Sequence, residues 1–174
     1  PKEYSLYADK YEVKEYINNL KIQGLNVAKT LKTLDINNDI LDLSSLPRNC
    51  IIKTNNGYND IIIIKNGTIK IMNSKGRRIK SKNYYEWKKT AIKPHETRYE
   101  KHYKNIETKI FVEEYLGDNI NDYKFFCLKG KIIFLQVNKY DEKCKNIYDV
   151  NFNLLPIIYK YKNYFFKIEK PKNL

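Results

Sequence analysis

Residues 109–137, KIFVEEYLGDNINDYKFFCLKGKIIFLQV, constrain the fold of this chain more than any other stretch. Runs rich in Ile, Val, Phe, Leu and Tyr alternate there with short breaks containing Gly, Asn and Asp, the pattern of three buried strands joined by turns. The first run closes on Glu113, Glu114, Tyr115 and Leu116, and the second opens on Asp122, Tyr123 and Lys124. Ionisable groups at strand ends sit where a sheet edge meets a cleft, a placement suited to a nucleotide.

The preceding half adds a second β-rich region and two helices. Cys50-Ile51-Ile52-Lys53, residues 61–64 and residues 68–72 are three short β-branched strands. Asn66-Gly67 between the last two is a strong two-residue hairpin signal, so an antiparallel meander is expected. Asp9 followed by Glu12 forms a capping-box pattern ahead of apolar positions at Val13, Tyr16, Ile17 and Leu20, which predicts a helix over 10–20. Tyr84, Trp87 and Ala91 at helical spacing predict another over 81–91, packed on the sheet. Residues 25–46 read as loop with short pieces of structure, and residues 157–168 as a further hairpin.

With 174 residues, the chain can form one compact domain or two small lobes sharing a cleft. No window approaches the roughly 18 uninterrupted apolar residues of a membrane span, and a cytoplasmic location is expected. Cys50, Cys127 and Cys144 show neither a CxxC pair nor flanking histidines, which argues against a zinc site; Cys50 and Cys127 read as small core residues. The net charge of +13 is concentrated in the middle, with 13 Lys or Arg against four Glu between residues 70 and 109. Such a field attracts nucleic acid, anionic sugars or phosphates. Only four of the 33 basic residues are Arg, the residue that base edges and phosphate forks favour, so specific nucleic-acid recognition is disfavoured. The competing picture is a stacking surface of Tyr84, Tyr85, Trp87, Tyr99 and Tyr103 among these lysines.

Six segments in order carry a resemblance to a known family. They are YADKYEVKEY at residues 7–16, Leu46-Pro47 with IIKTNNG at 51–57, EKHYKNI at 100–106, EEYL at 113–116, DYKFFC at 122–127 and YDVNFNLL at 148–155. Together they resemble the TupA-like branch of the ATP-grasp superfamily, associated with surface-polysaccharide genes. The resemblance implies an α+β fold of two small lobes with mostly antiparallel sheets around a nucleotide cleft. On that pattern residues 1–46 are an N-terminal helix and connecting segment, 47–108 a small lobe with a glycine-containing loop, and 109–174 the hinge and the start of the second lobe.

What the resemblance implies chemically is ATP with Mg2+, and a carboxylate phosphorylated to an acyl phosphate and then captured by an amine. Lys53 takes the phosphate-lysine position, and Asn55, Asn56 and Gly57 the loop covering the phosphates. Glu113, Glu114, Tyr115 and Leu116 correspond to the hinge that meets adenine, with at most one of the two glutamates facing the cleft. Lys124 stands where a phosphate-facing cation is usual, oriented by Asp122; His102 and Asp149 are the candidate catalytic groups. The implied partners are ATP, an anionic sugar or glycan, and an amino acid or amine.

The sequence departs from the family pattern in places. NNGYND replaces NHGSGGN in the loop, Lys101 replaces the Trp of EWHY, and Phe152 the Trp of YDLDW. The pattern also places two further strands, carrying the acidic metal ligands, after a segment resembling KPKNL. The C-terminal part of the fold, with the Mg2+ ligands, is therefore expected beyond Leu174, and no metal ligand is assigned within the chain. The expected activity is ATP-dependent carboxylate–amine ligation on a surface polysaccharide or its uronic-acid precursor. The alternative is a non-catalytic ATP-grasp-like module that binds a glycan or a partner.

Overall fold

A computed structural model describes residues 3–38, 40–58, 60–72, 83–93, 101–118, 120–139, 144–158, 163, 168 and 170–171. It is an α+β structure of two compact units, Pro1–Tyr115 and Leu116–Leu174. Each unit is built on one fully antiparallel sheet. Among the described residues no helix is long and apolar enough to cross a membrane.

The first unit opens with two short helices, α1 (Glu3–Ala8) and α2 (Glu12–Asn19). The Asp9 carboxylate accepts from the N–H groups of Tyr11 at 2.8 Å and Glu12 at 3.1 Å, satisfying donors at the start of α2. The other half of the expected capping box does not form, because the Glu12 carboxylate pairs with the Lys109 ammonium. The strands are β1 (Thr30–Leu34), β2 (Cys50–Thr54), β3 (Ile61–Lys65), β4 (Thr68–Met72) and β5 (Ile110–Glu114), in the order β1-β5-β2-β3-β4.

β5 thus lies inside the first sheet between β1 and β2, although it follows the expected boundary at residue 108. Its first four residues are buried, as an interior strand covered on both faces must be. The predicted meander forms from β2, β3 and β4. Its hairpin turns at Asn66 (φ 49°) and Gly67 (φ 78°), two consecutive left-handed residues that match the twist of the flanking strands.

One face of this sheet makes the core. Cys50, Ile52, Ile62, Ile64, Ile71, Ile110 and Val112 project from it against Tyr84, Trp87 and Ala91 of α3 (Tyr84–Ala91). The side chain of Asn83 caps α3 by accepting from the N–H of Tyr85 at 2.8 Å. The predicted helix is therefore present from residue 84, and residues 81 and 82 lie outside the described residues. Within the region expected to be mostly loop, β1 pairs with β5 along one edge.

The second unit contains β6 (Asn121–Leu128), β7 (Lys131–Lys139), β8 (Cys144–Tyr148) and β9 (Leu154–Leu155), paired in sequence order. Leu135, Val137 and Tyr148 form its core, with Tyr123, Phe152 and Ile168 packed around them. The expectation of three buried strands is corrected here. β5 is buried, but the distal part of β6 and the proximal part of β7 are exposed, with a register shift between Phe126 and Cys127. Cys127 is consequently exposed rather than in the core, whereas Cys50 is fully buried and its thiol donates to the Pro47 carbonyl. Most of the hairpin expected over 157–168 lies outside the described residues.

Candidate functional site

Two lysines converge on one buried carboxylate, that of Glu113 on β5. Register places Lys53 opposite Phe111, and Ile51 opposite Glu113, so Lys53, Phe111 and Glu113 share the sheet face opposite the core. Glu113 lies at 5% exposure. One of its carboxylate oxygens takes the Lys53 ammonium, and the other takes the Lys14 ammonium of α2 at 2.6 Å. Lys14 also donates to the Ala28 carbonyl at 2.8 Å and the Thr30 hydroxyl at 3.1 Å. Both ammonium groups stand over the Phe111 ring, at 5.0 Å and 5.5 Å from its centroid.

Burying one carboxylate between two cations satisfies its oxygens and leaves an excess positive charge in a poorly hydrated place. Such a cluster attracts an anion. Glu114 points to the other face, as strand alternation requires, and accepts from the N–H of Lys29 at 2.6 Å.

The segment after β2 is fastened to both flanks. Asn55 is fully buried, and its side-chain amide donates to Asp9 at 2.8 Å and to the Glu107 carbonyl at 2.9 Å while accepting from the N–H of Lys109 at 2.8 Å. The Asn56 side chain donates to Thr108 at 2.9 Å, and the Thr54 hydroxyl donates to the Asn56 carbonyl at 2.8 Å. Lys10 donates to the carbonyl of Gly57, whose φ of 72° brings the chain round. The side chains of Asn55 and Asn56 thus hold the loop in shape. The same loop follows Lys53 directly.

The remaining candidates are spread over both units. Tyr115 and Leu116 follow β5 outside any strand, with Leu116 exposed. His102 lies in a single 3-10 turn, Lys101–Asn105, where its carbonyl accepts from the Ser5 hydroxyl at 2.8 Å and its ring tilts against Tyr103. In the second unit Lys124 lies 3.7 Å from Asp122 across one strand face, and Asp122 accepts from Asn138 at 2.9 Å. Next to this polar row the stacked rings of Phe126 and Phe134, with Ile147 and Leu155, line an apolar trough of about 520 Å³.

Asp149 accepts from the N–H groups of Asn151 at 2.9 Å and Asn153 at 2.7 Å, and from the Asn153 side chain at 2.9 Å. The Asn153 side chain and then its N–H hold the carboxyl below its ordinary range. Asp149 therefore organises its own turn. Among the described residues no group of three or more His, Cys, Asp and Glu gathers as a metal site.

Lys53, Glu113, Lys124 and Asp122 are each legible as candidates in the sequence. Lys14 is not, although it lies on α2 one turn beyond Lys10, within the YADKYEVKEY segment. Asp9 is legible as a helix cap but not as the partner of Asn55. No spacing rule exposes contacts between residues 46 or 99 positions apart.

No curated protein and no solved structure matches this chain. The family model described as TupA-like ATPgrasp matches residues 1–174. ATP-grasp proteins generally use ATP with Mg2+, and a cationic cluster on the strand that leads into a tethered glycine loop is in keeping with such a ligand. With a family match that runs the whole length of the sequence, over two antiparallel units, the chain belongs to the TupA-like ATP-grasp family.

Proposed function

We propose that this chain binds ATP through Lys53 and the loop of Asn55, Asn56 and Gly57, as part of an ATP-dependent carboxylate–amine ligase. The carboxylate is a surface polysaccharide or its uronic-acid precursor, and the amine is an amino acid or a simple amine. The observation that carries this reading is the Lys14–Glu113–Lys53 cluster, in which two cations meet one buried carboxylate and Lys53 sits on the strand that leads into the loop. Electrostatic stabilisation of charge moving along a polyphosphate asks for preorganised cations and amides of this kind.

In the reaction a substrate carboxylate oxygen attacks the γ-phosphorus, the bond to the β-phosphate oxygen breaks and ADP leaves. The amine nitrogen then attacks the acyl carbon of the acyl phosphate. A C–N bond forms, the C–O bond to phosphate breaks, and the nitrogen loses a proton. Lys53 and Lys124 bind phosphate oxygens in this scheme, with Asp122 orienting Lys124. Of the hinge residues Glu113, Glu114, Tyr115 and Leu116, the last two follow β5 and are the candidates to meet the adenine edge, since Glu113 and Glu114 pair within the sheet. His102 is the candidate to take the amine proton, and Asp149 is the second candidate catalytic group. Mg2+, when bound, neutralises charge on the phosphates; its ligands are not among the groups assigned to this chain.

The +13 net charge supports an anionic sugar acceptor as well as ATP. ADP release, measured across uronic acids paired with amino acids in the presence of Mg-ATP, tests the activity. ADP formed only when both partners are present supports ligation. Tight ATP binding with no ADP from any pair supports the non-catalytic module instead.

A further inference from the structure

The ion cluster contains more cation than Lys53 needs for a partner. Glu113 offers two oxygens, and Lys14 occupies one of them from a separate element, α2, at 2.6 Å. Lys14 is the more enclosed of the two lysines, with 14% of its side chain exposed against 22% for Lys53 and 7% for Glu113. It is also the more firmly held, since the Ala28 carbonyl and the Thr30 hydroxyl take further donor positions on its ammonium. Lys53 is therefore the outer and less restrained cation of the pair.

We infer that Lys14 is a positioning residue for nucleotide binding: it neutralises Glu113 so that the charge of Lys53 remains available to an anionic ligand. This rests on the reading of Lys53 as a phosphate-binding group. In a one-to-one pair, Glu113 and Lys53 would cancel, and a phosphate approaching Lys53 would meet the field of a buried carboxylate. The second cation reverses that sign. With Lys14 in place the three groups carry a net positive charge, and Lys53 can swing from Glu113 to a phosphate oxygen without leaving Glu113 as an unpaired buried anion. Lys14 does this without touching the ligand.

The test uses the full chain as wild type, Lys14→Met and Lys14→Arg, titrated with Mg-ATP and, by competition, with adenosine. Lys14→Met is expected to weaken Mg-ATP about tenfold, leave adenosine within about twofold, and flatten the salt dependence of Mg-ATP binding; Lys14→Arg is expected to restore most of the loss. The split between the two ligands matters because a variant that merely loosened α2 would weaken both alike. Equal Mg-ATP affinity in wild type and Lys14→Met, or equal losses for ATP and adenosine, would overturn the inference. So would a failure of Arg to restore binding in a variant that unfolds at the wild-type denaturant concentration. A wild-type chain that binds no Mg-ATP overturns the functional reading and this inference together. One that loses Mg-ATP on Lys53→Ala but is indifferent to Lys14→Met overturns this inference alone.

Discussion

Asn55 ties separate segments of the first unit together through its side chain. Its side chain joins Asp9 ahead of α2, the carbonyl of Glu107 and the N–H of Lys109, all from a fully buried position. Substituting Ala removes one partner from each of these bonds and leaves buried groups without compensation, which costs more than the net value of a hydrogen bond. Asn55→Ala is expected to lose about 2–4 kcal/mol in urea denaturation; a loss below about 1 kcal/mol would show that the loop is held by other means.

Asp149 gives a second prediction, with a definite sign. Its folded-state pKa is depressed chiefly by the Asn153 side chain, so the stabilisation is present above the ordinary carboxylate pKa of about 3.9 and disappears as pH falls through the lowered value. Denaturation at stepped pH should show wild type more stable than Asn153→Ala near pH 6, with the gap closing below about pH 4. A gap that is unchanged at acid pH would contradict this. Neither prediction could be made from the sequence, where Asn55 reads as a loop residue and Asp149 as a candidate catalytic group.

Among the elements, α3 shows how a local signal and a tertiary one coincide. Tyr84, Trp87 and Ala91 recur at helical spacing and all three are buried against the sheet, so the pattern by itself places the helix and its apolar face. Trp87 has no exposed surface, and among the described residues no acceptor meets its indole N–H. Trp87→Ala should therefore cost about 3–5 kcal/mol through lost volume, whereas Trp87→Phe should cost distinctly less because it also deletes an unpaired buried donor. Calorimetric unfolding distinguishes the two, and equal losses would place the energy in the indole nitrogen rather than in packing.

Other elements leave weaker traces in the sequence, for physical reasons. β2, β3, β4 and β5 announce themselves through β-branched runs, but β1, TLKTL, is a mostly exposed edge strand. Its strand character comes from pairing with β5 some 80 residues later, a non-local cause. α1 is six residues long with no buried residue, too short and too exposed to leave a periodic signal. The exposed stretch of β6 and β7 reads as buried in the sequence because Phe126, Ile133 and their neighbours are apolar, whichever way the sheet turns them.

For the whole molecule, the family signature is legible because its motifs fall in the same order along the chain, and those motifs mark strand ends and loops where charge is held by backbone geometry. Lys53 and Glu113 come from IIKTNNG and EEYL, two motifs 60 residues apart, and the antiparallel pairing of β2 with β5 brings them together. The net charge of +13 gives a general attraction for anions, whereas the cluster gives a local one that rests on Lys14 and Lys53 together. Calorimetric titration of Mg-ATP into wild type and Lys53→Ala at low and moderate salt separates these contributions most directly. Binding at least about tenfold weaker is predicted for Lys53→Ala, with the difference persisting as salt screens the general field; equal affinities for the two proteins would contradict a phosphate-binding role for Lys53.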